Sequence, residues 1–268
     1  MHPFVFDIAR LRVVFGRGTR LRTTQEVESL DAKHVLIVVS PSHARTAAVV
    51  ADQLGARCAG IYDKVAQHVP VEKAATATSH TRALGADVCV AIGGGSAIGL
   101  AKAIALETGI PIIAIPTTYS GSEMTSIWGL TANGVKRTGK DPKVQARAVI
   151  YDSELFTSLP PAIAGPSGIN ALAHAVEGLY AENANPIMSS LAQEGIGAGH
   201  NPFRKLCDWR GVQTLKNAFC RPYRDSLTSC AFPSAKALGY RLSSLRDCEN
   251  ALVSECKHSC RDAFHSPA

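Results

Sequence analysis

The sequence predicts an α/β protein: a Rossmann-like N-terminal domain built on a parallel sheet, followed by an all-helical C-terminal domain that is incomplete. Short apolar runs alternate with helical patterns over residues 1–155, as in a parallel sheet with helices on both faces. The run Val35–Val39 contains no polar residue, which is typical of a strand buried on both faces. From residue 156 onward only helical patterns follow.

The elements of the first domain alternate regularly along the chain. Strands are expected at Val13–Phe15, Val35–Val39, Gly60–Tyr62, Val88–Ile92 and Ile112–Ile115. Helices are expected at Thr23–Leu30, Ser42–Leu54, Val71–Leu84 and Ala97–Leu106. Gly85 follows the third of these helices, and glycine is the residue that most often ends a helix in the left-handed conformation.

The pattern changes near Tyr151. The breaker pair Pro160-Pro161 is followed by helical patterns at Ser167–Tyr180 and Pro186–Gly195. We therefore expect a dinucleotide-binding domain at 1–155, the start of a helical domain at 156–200 and an atypical tail at 201–268. The tail holds six of the eight cysteines, and its seven Arg and four Lys outnumber its four Asp and two Glu.

Composition and charge narrow the choice of partners. Apolar residues make up 46% of the chain, enough for a packed core. Most of the net charge of +6 lies in the tail, so we expect no nucleic-acid partner for the domain that carries the motifs. There is no apolar stretch of about 18 residues, and residues 1–10 do not resemble a signal peptide. The sequence indicates a cytoplasmic protein without a membrane partner.

Two strands end in loops that suit a phosphate-bearing ligand. Gly93-Gly94-Gly95-Ser96 lies between a predicted strand and a predicted helix, where backbone N–H groups and the helix dipole can hold a diphosphate. The loop that begins at Thr117 follows the next strand, and ligands bind at this edge of parallel sheets. A plain turn and ordinary helix-capping hydroxyls are the alternatives. The predicted cofactor-binding residues are Gly94, Gly95, Ser96, Thr117, Thr118 and Ser122.

The end of the strand Val35–Val39 bears on the choice of cofactor. An acidic residue often occupies this position when NAD is selected, because it accepts a hydrogen bond from the ribose 2′-hydroxyl. Here the strand is followed by Ser40-Pro41-Ser42 and, further on, by Arg45. No carboxylate would repel a 2′-phosphate, so we expect NADH or NADPH, with a solvated Arg45 as the alternative to a phosphate contact.

Two further groups of polar residues have both a functional and a structural interpretation. Asn170 and His174 lie four residues apart on one helix and share a face. We interpret His174 as a polar active-site group or a hydrogen-bonded histidine between the domains, rather than a metal ligand, and we expect Glu177 to be solvated. The basic residues Lys136, Arg137, Lys140 and Lys143 surround Gly139. We expect a solvated loop there, with attraction of an anionic substrate as the alternative.

Taken together, several motifs resemble the iron-containing alcohol dehydrogenase superfamily over about residues 4–196. They are Phe15-Gly16, Gly93-Gly94-Gly95-Ser96, Ala101-Lys102, Thr117-Thr118-Tyr119-Ser120-Gly121-Ser122-Glu123-Met124-Thr125 and Asn170-Ala171-Leu172-Ala173-His174-Ala175-Val176-Glu177. Within the superfamily the chain is most similar to the maleylacetate reductases. Metal-dependent members carry Asp where this chain has Gly99 and Asn170, so the resemblance implies an enzyme without a metal.

The resemblance implies an activity and an assembly. Such enzymes use NADH or NADPH to reduce the carbon–carbon double bond of maleylacetate, a small anionic substrate, to 3-oxoadipate during breakdown of aromatic compounds. Family members are often homodimers, which we expect here if the helical domain folds. His174 is the residue that the resemblance places in the catalytic cleft.

The tail departs from the family pattern. Members of the family continue with a His-rich stretch that lines the cleft, whereas His200, His258 and His265 occupy no such context. Our hypothesis is that residues 197–268 are an out-of-frame or foreign extension, and a divergent natural tail is the alternative. We therefore expect the chain to bind NAD(P)H weakly and to show little or no turnover.

Overall fold

One sheet of six parallel strands organises the N-terminal domain of the computed structural model, which describes residues 11–182 and 184–207. The strands in chain order are β1 Arg12–Gly16, β2 Val35–Val39, β3 Cys58–Tyr62, β4 Val88–Gly93, β5 Ile112–Pro116, β6 Ile127–Ala132, β7 Val135–Lys140 and β8 Ala148–Asp152. The sheet has the order β1-β8-β5-β4-β2-β3, and β6 pairs with β7 in a separate antiparallel hairpin. The parallel sheet confirms the predicted fold class.

Helices cover both faces of the sheet. The helices in chain order are α1 Thr23–Glu28, α2 Ala44–Leu54, α3 Val71–Ala83, α4 Gly95–Thr108, α5 Ser153–Thr157, α6 Pro161–Tyr180 and α7 Pro186–Cys207. Those that pack on the sheet precede α6. Alternate residues of a strand point to opposite faces. Leu36 and Val38 of β2 therefore pack in the core beneath α3 and α4, and Ile37 packs in the core beneath α1 and α2. All five residues of β2 are buried, as its unbroken apolar run predicts.

Three features differ from the sequence-based expectation. The hairpin β6–β7 and the strand β8 were not predicted. Of the four basic residues around Gly139, three lie on β7 rather than in a loop, and Lys143 lies in the 3₁₀ turn Pro142–Val144. The polar sequence of β7 lacks the alternation of apolar and polar residues that predicts a strand, because all but one of its residues are exposed. The turn residues Asn133 and Gly134 both have positive φ angles of 51° and 75°, and an Asn-Gly pair is the strongest local signal for such a turn.

The C-terminal region described is a pair of helices. Helix α6 begins at Pro161 rather than Ser167, because proline is well suited to the first turn of a helix. Helix α7 extends beyond the predicted Gly195 to Cys207, and it packs against α6. The predicted tail beyond residue 207 lies outside the described residues. Within residues 11–182 and 184–207, no helix is both long and apolar enough to cross a membrane.

Candidate functional site

The loops after β4 and β5 lie next to each other at the carboxyl edge of the sheet. The two strands are parallel neighbours, and Gly93 pairs in register with Pro116. The Thr117 N–H donates a hydrogen bond of 3.1 Å to the Gly93 carbonyl oxygen, which links the two loops directly. The predicted placement of both loops on one edge is therefore confirmed.

The glycine run makes a turn that larger residues cannot make. Gly93 has a φ of +147°, and a Cβ at this position would collide with the Ser40 side chain and lie 2.9 Å from the Ala97 Cβ. Gly94 then precedes α4, which begins at Gly95. The first N–H groups of a helix have no partner within the helix, and they are positioned to bind an anion together with the positive end of the helix dipole.

The second loop closes over this turn. A Cβ on Gly94 would lie 3.0 Å from Oγ1 and from Cγ2 of Thr118, and a Cβ on Gly95 would lie 3.7 Å from the Ser120 side chain. Thr117 is 1% exposed, and within residues 11–182 and 184–207 its Oγ1 has no hydrogen-bond partner. A buried hydroxyl without a partner is costly, so this atom suits a bound polar ligand.

The structure thus brings most of the predicted cofactor-binding residues together. Gly94, Gly95, Thr117 and Thr118 form the contact between the two loops, and Ser96 lies in the first turn of α4. Ser122 begins the short 3₁₀ turn Ser122–Met124. Its carbonyl oxygen accepts a hydrogen bond from Lys102 and is therefore not available to a cofactor.

Lys102 is a site residue that sequence reasoning did not single out. Its side chain is 1% exposed on α4, and its Nζ donates to the carbonyl oxygens of Ser122, Thr125 and Ile127 at 2.6, 2.7 and 2.7 Å. Burial lowers the pKa of the ammonium group to about 8. The signal in the sequence is a lysine inside an otherwise apolar helix, because a buried lysine needs partners.

A buried carboxyl group lies in the same loop. Glu123 is 2% exposed, and its Oε1 accepts a hydrogen bond of 2.9 Å from the Tyr151 hydroxyl. Burial raises the pKa of Glu123, although the Tyr151 hydroxyl and the Lys102 charge oppose this shift. Burial and the neighbouring Glu123 also raise the pKa of Tyr151. This pair ties the second loop to β8.

The rim at the end of β2 carries no acidic group close to the glycine turn. Ser40 packs where a Gly93 side chain would be, and its N–H donates to the Ile92 carbonyl oxygen at 3.1 Å. His43 is half-buried, and burial lowers its pKa. Arg45 is exposed at the start of α2. The residues from Ser40 to Arg45 therefore place no carboxylate at the end of β2.

Helix α6 carries both Ser167, which contacts the second loop, and His174. The Ser167 Oγ accepts a hydrogen bond of 2.8 Å from the Tyr119 N–H, which joins α6 to the second loop. His174 is exposed, and its Nδ1 lies 3.4 Å from the Glu177 Oε2. The expectation that Glu177 is solvated is wrong: the residue is 7% exposed, because its place on α6 turns it inward beside His174.

Few metal-ligating side chains accompany His174 in the part of the chain that the structure describes. Asn170 lies one helical turn away and offers a neutral amide oxygen, a weak ligand for a divalent ion. Over residues 11–182 and 184–207, no group of three or more His, Cys, Asp or Glu could hold a metal. A Cβ at Gly99 would lie 2.9 Å from the Val69 Cγ2, so an aspartate there would displace Val69.

A buried carboxylate anchors the turn after β1 at the same edge of the sheet. Asp152 is fully buried and accepts hydrogen bonds from the N–H groups of Gly18 and Arg20 at 2.9 and 3.1 Å. The Arg20 guanidinium adds a bond of 2.7 Å. Burial alone would raise the pKa of Asp152, but the bonds from Arg20 and Gly18 outweigh it and lower the pKa.

Comparison with known proteins places the chain in a family. The family profile "Iron-containing alcohol dehydrogenase" matches residues 11–153. A maleylacetate reductase from Burkholderia cepacia is 48% identical over 198 residues, which are 74% of this chain and 56% of that protein. The chain therefore spans little more than half the length of such curated relatives.

Solved structures agree with this assignment. The crystal structure of maleylacetate reductase from Agrobacterium tumefaciens is 46% identical, with a TM-score of 0.69 over 72% of this chain and 55% of that one. Sulfoacetaldehyde reductase from Bifidobacterium kashiwanohense, solved in complex with NAD+, is 26% identical, with a TM-score of 0.66 over 71% of this chain and 57% of that one.

Proposed function

Because the chain belongs to the iron-containing alcohol dehydrogenase family, we propose that it serves the NAD(P)H-dependent reduction of maleylacetate to 3-oxoadipate. The observation that carries this proposal is the contact between the loops at Gly94 and Thr118, beside the unpartnered hydroxyl of Thr117. The similarity to maleylacetate reductases at 46–49% identity supports the choice of substrate.

The described residues suit a dinucleotide. The N–H groups of Gly95 and Ser96 at the start of α4 would hold the diphosphate, since the first N–H groups of a helix have no partner within the helix. The Thr117 hydroxyl would gain a partner. The end of β2 at Ser40 would receive the adenosine ribose, with no carboxylate to exclude a 2′-phosphate. When bound, the reduced nicotinamide supplies a hydride to the conjugated double bond.

The reaction also needs groups that manage charge and a proton. Reduction breaks the π bond of the alkene and forms two C–H bonds, one from the hydride and one from a proton. Electron density passes to the oxo group conjugated with the double bond, and a hydrogen-bond donor stabilises the resulting enolate. His174 is the proposed donor, because its ring is exposed and its Nδ1 faces the buried Glu177, which orients the imidazole.

We propose further that the reaction proceeds without a metal, in the cytoplasm and in a homodimer. The neutral Asn170 and the close packing of Val69 on Gly99 support metal independence. The cellular pool of NADH and NADPH supports the location.

A second candidate is a non-catalytic protein that binds the nucleotide. The sequence of residues 197–268 favours it, because no His-rich stretch like that of the family occurs there. A third candidate is another dehydrogenase of the same superfamily that acts on an alcohol. Asn170 and Gly99 argue against it, and a test for metal-stimulated alcohol oxidation would distinguish it.

The decisive experiment measures NADH binding and turnover on the full chain. NADH fluorescence should increase on titration with the protein, and the same sample is then assayed for NADH consumption with maleylacetate. Binding with turnover that His174→Ala abolishes supports the reductase. Binding without turnover supports the nucleotide-binding alternative. Absence of binding to both NADH and NADPH overturns the proposal.

A further inference from the structure

The buried ammonium group of Lys102 has an unusual set of partners. Lys102 lies seven residues after Gly95 on α4, about two helical turns from the proposed diphosphate site. Its Nζ reaches three backbone carbonyl oxygens, those of Ser122, Thr125 and Ile127, within 2.6–2.7 Å. The Thr125 Oγ1 lies 3.1 Å away. All these acceptors belong to one short segment of the chain.

The number of N–H donors on Lys102 matches the number of carbonyl acceptors, and the Thr125 Oγ1 is a fourth, more distant acceptor. An ammonium group has three N–H donors, and three carbonyl oxygens lie at short distances. Charged donors make stronger hydrogen bonds than neutral ones. Because the three carbonyls come from residues 122–127, the lysine holds this segment in a tight curve against α4.

The partners are neutral, not anionic. Glu123 is the acidic residue whose charge acts on Lys102, and its Oε1 is bonded to Tyr151. For the part of the chain that the structure describes, no carboxylate oxygen lies within 4.0 Å of the Lys102 Nζ. An ion pair therefore does not explain the burial of this lysine. The hydrogen bonds by which it holds the loop do explain it.

We propose that Lys102 is a positioning residue of the cofactor site, whose ammonium group fixes the segment Thr117–Ile127 in the conformation that receives the dinucleotide. This inference rests on the proposed function. The segment begins with the two threonines at the glycine turn and ends at the first residue of β6. Lys102 therefore connects the helix that would bind the diphosphate with the loop that would close over it.

The protonation state of Lys102 gives this role a pH dependence. A neutral amine has two N–H groups, so loss of the proton leaves one of the three carbonyls without its donor. A bound diphosphate is anionic and raises the pKa of Lys102 above its value of about 8 in the free protein. Affinity for NADH should therefore be constant at lower pH and fall as the pH rises through about 8. The groups that face Lys102 and titrate are Glu123 and, through it, Tyr151.

The first test compares Lys102→Met with Lys73→Met, which removes an exposed lysine of α3. Amide hydrogen exchange of residues 117–127 and the Kd for NADH are measured on the full chain. We expect faster exchange in this segment and a Kd raised at least about tenfold in Lys102→Met only. Unchanged exchange or an unchanged Kd in a folded Lys102→Met protein overturns the proposal. If the unmodified chain does not bind NADH, the proposed function is wrong. The comparison of amide exchange between Lys102→Met and the unmodified chain then still shows whether Lys102 holds the loop.

The second test can refute the proposal even if Lys102→Met does not fold. The Kd for NADH of the unmodified chain is measured between about pH 6.5 and 9.5, a range that brackets the pKa. We expect affinity to fall above about pH 8, and to be independent of pH in Lys102→Met if that variant folds. A flat profile in the unmodified chain, or the same slope in both proteins, contradicts the role of the ammonium group.

Discussion

Gly94 and Thr118 lie against each other where the loops after β4 and β5 meet, so closely that a Cβ on Gly94 would be 3.0 Å from two side-chain atoms of Thr118. This contact has little free space, because contacts of 3.0 Å between carbon atoms are well inside the optimal van der Waals separation. The relative position of the two loops therefore depends on a residue without a side chain.

Gly94→Ala should weaken NADH binding. The added methyl group must push Thr118 away from the glycine turn, and we expect the Kd for NADH to rise about tenfold, which corresponds to about 1.4 kcal/mol. Fluorescence titration measures the effect. Gly197→Ala on α7 is the matched control, because a Cβ at Gly197 would have no atom within 4 Å. Equal affinity of Gly94→Ala and the unmodified chain would show that the loops do not hold the cofactor.

Ser40→Asp should change the choice of cofactor. A carboxylate at the end of β2 would repel the 2′-phosphate of NADPH but could accept a hydrogen bond from the 2′-hydroxyl of NADH. We expect NADPH affinity to fall at least about tenfold and NADH affinity to change less than about threefold. Ser40→Asn, of similar size but neutral, controls for crowding against Gly93. Equal weakening of both cofactors by Ser40→Asp would place the ribose elsewhere.

Asp152→Ala should destabilise the N-terminal domain. The substitution removes the buried carboxylate that holds the turn after β1 and leaves Arg20 without this partner, a loss of about 3 kcal/mol in the free energy of unfolding. Urea unfolding followed by circular dichroism measures the effect, and Asp52→Ala, at an exposed position on α2, is the control. A loss of less than about 1 kcal/mol would mean that the network contributes little.

The effect of Asp152 should also depend on pH. Its pKa is lower in the folded protein than the value of about 3.9 in unfolded chains. The stabilisation by Asp152 is therefore complete above about pH 4 and is lost as the pH falls through the folded-state pKa. The difference between the unmodified chain and Asp152→Ala should shrink on acidification. A difference that stays constant down to about pH 2.5 would contradict the assigned shift.

Divalent metal ions should not stabilise the protein. Asn170 and His174 supply one neutral oxygen and one nitrogen, too few for tight binding of Fe²⁺ or Zn²⁺. We expect either ion to leave the midpoint of thermal unfolding unchanged within about 1 °C, because a ligand that does not bind the native state does not shift it. A rise that His174→Ala abolishes would reveal a metal site.

Much of the fold follows from local patterns. The unbroken apolar run of β2 predicts a strand buried on both faces, and Gly93-Gly94-Gly95 between an apolar strand and a helix predicts a phosphate-binding turn. The buried strand and the glycine turn before α4 are both present, because burial and backbone freedom are properties of the residues themselves. Phosphate binding at that turn stays a prediction. The hairpin β6–β7 was missed because the exposed strand β7 carries no apolar periodicity, although Asn133-Gly134 signalled its turn.

By itself, the sequence determined the alternation of strands and helices, the two donor-rich loops and their common edge, because parallel strands bring consecutive carboxyl ends together. Only the tertiary structure decided that Lys102 is buried against three carbonyl oxygens and that Glu177 turns inward beside His174. The burial of a charged side chain depends on which distant segment supplies its partners. The partners of Lys102 are supplied when the loop after β5 packs on α4, and no local sequence pattern identifies that segment as the one that supplies them.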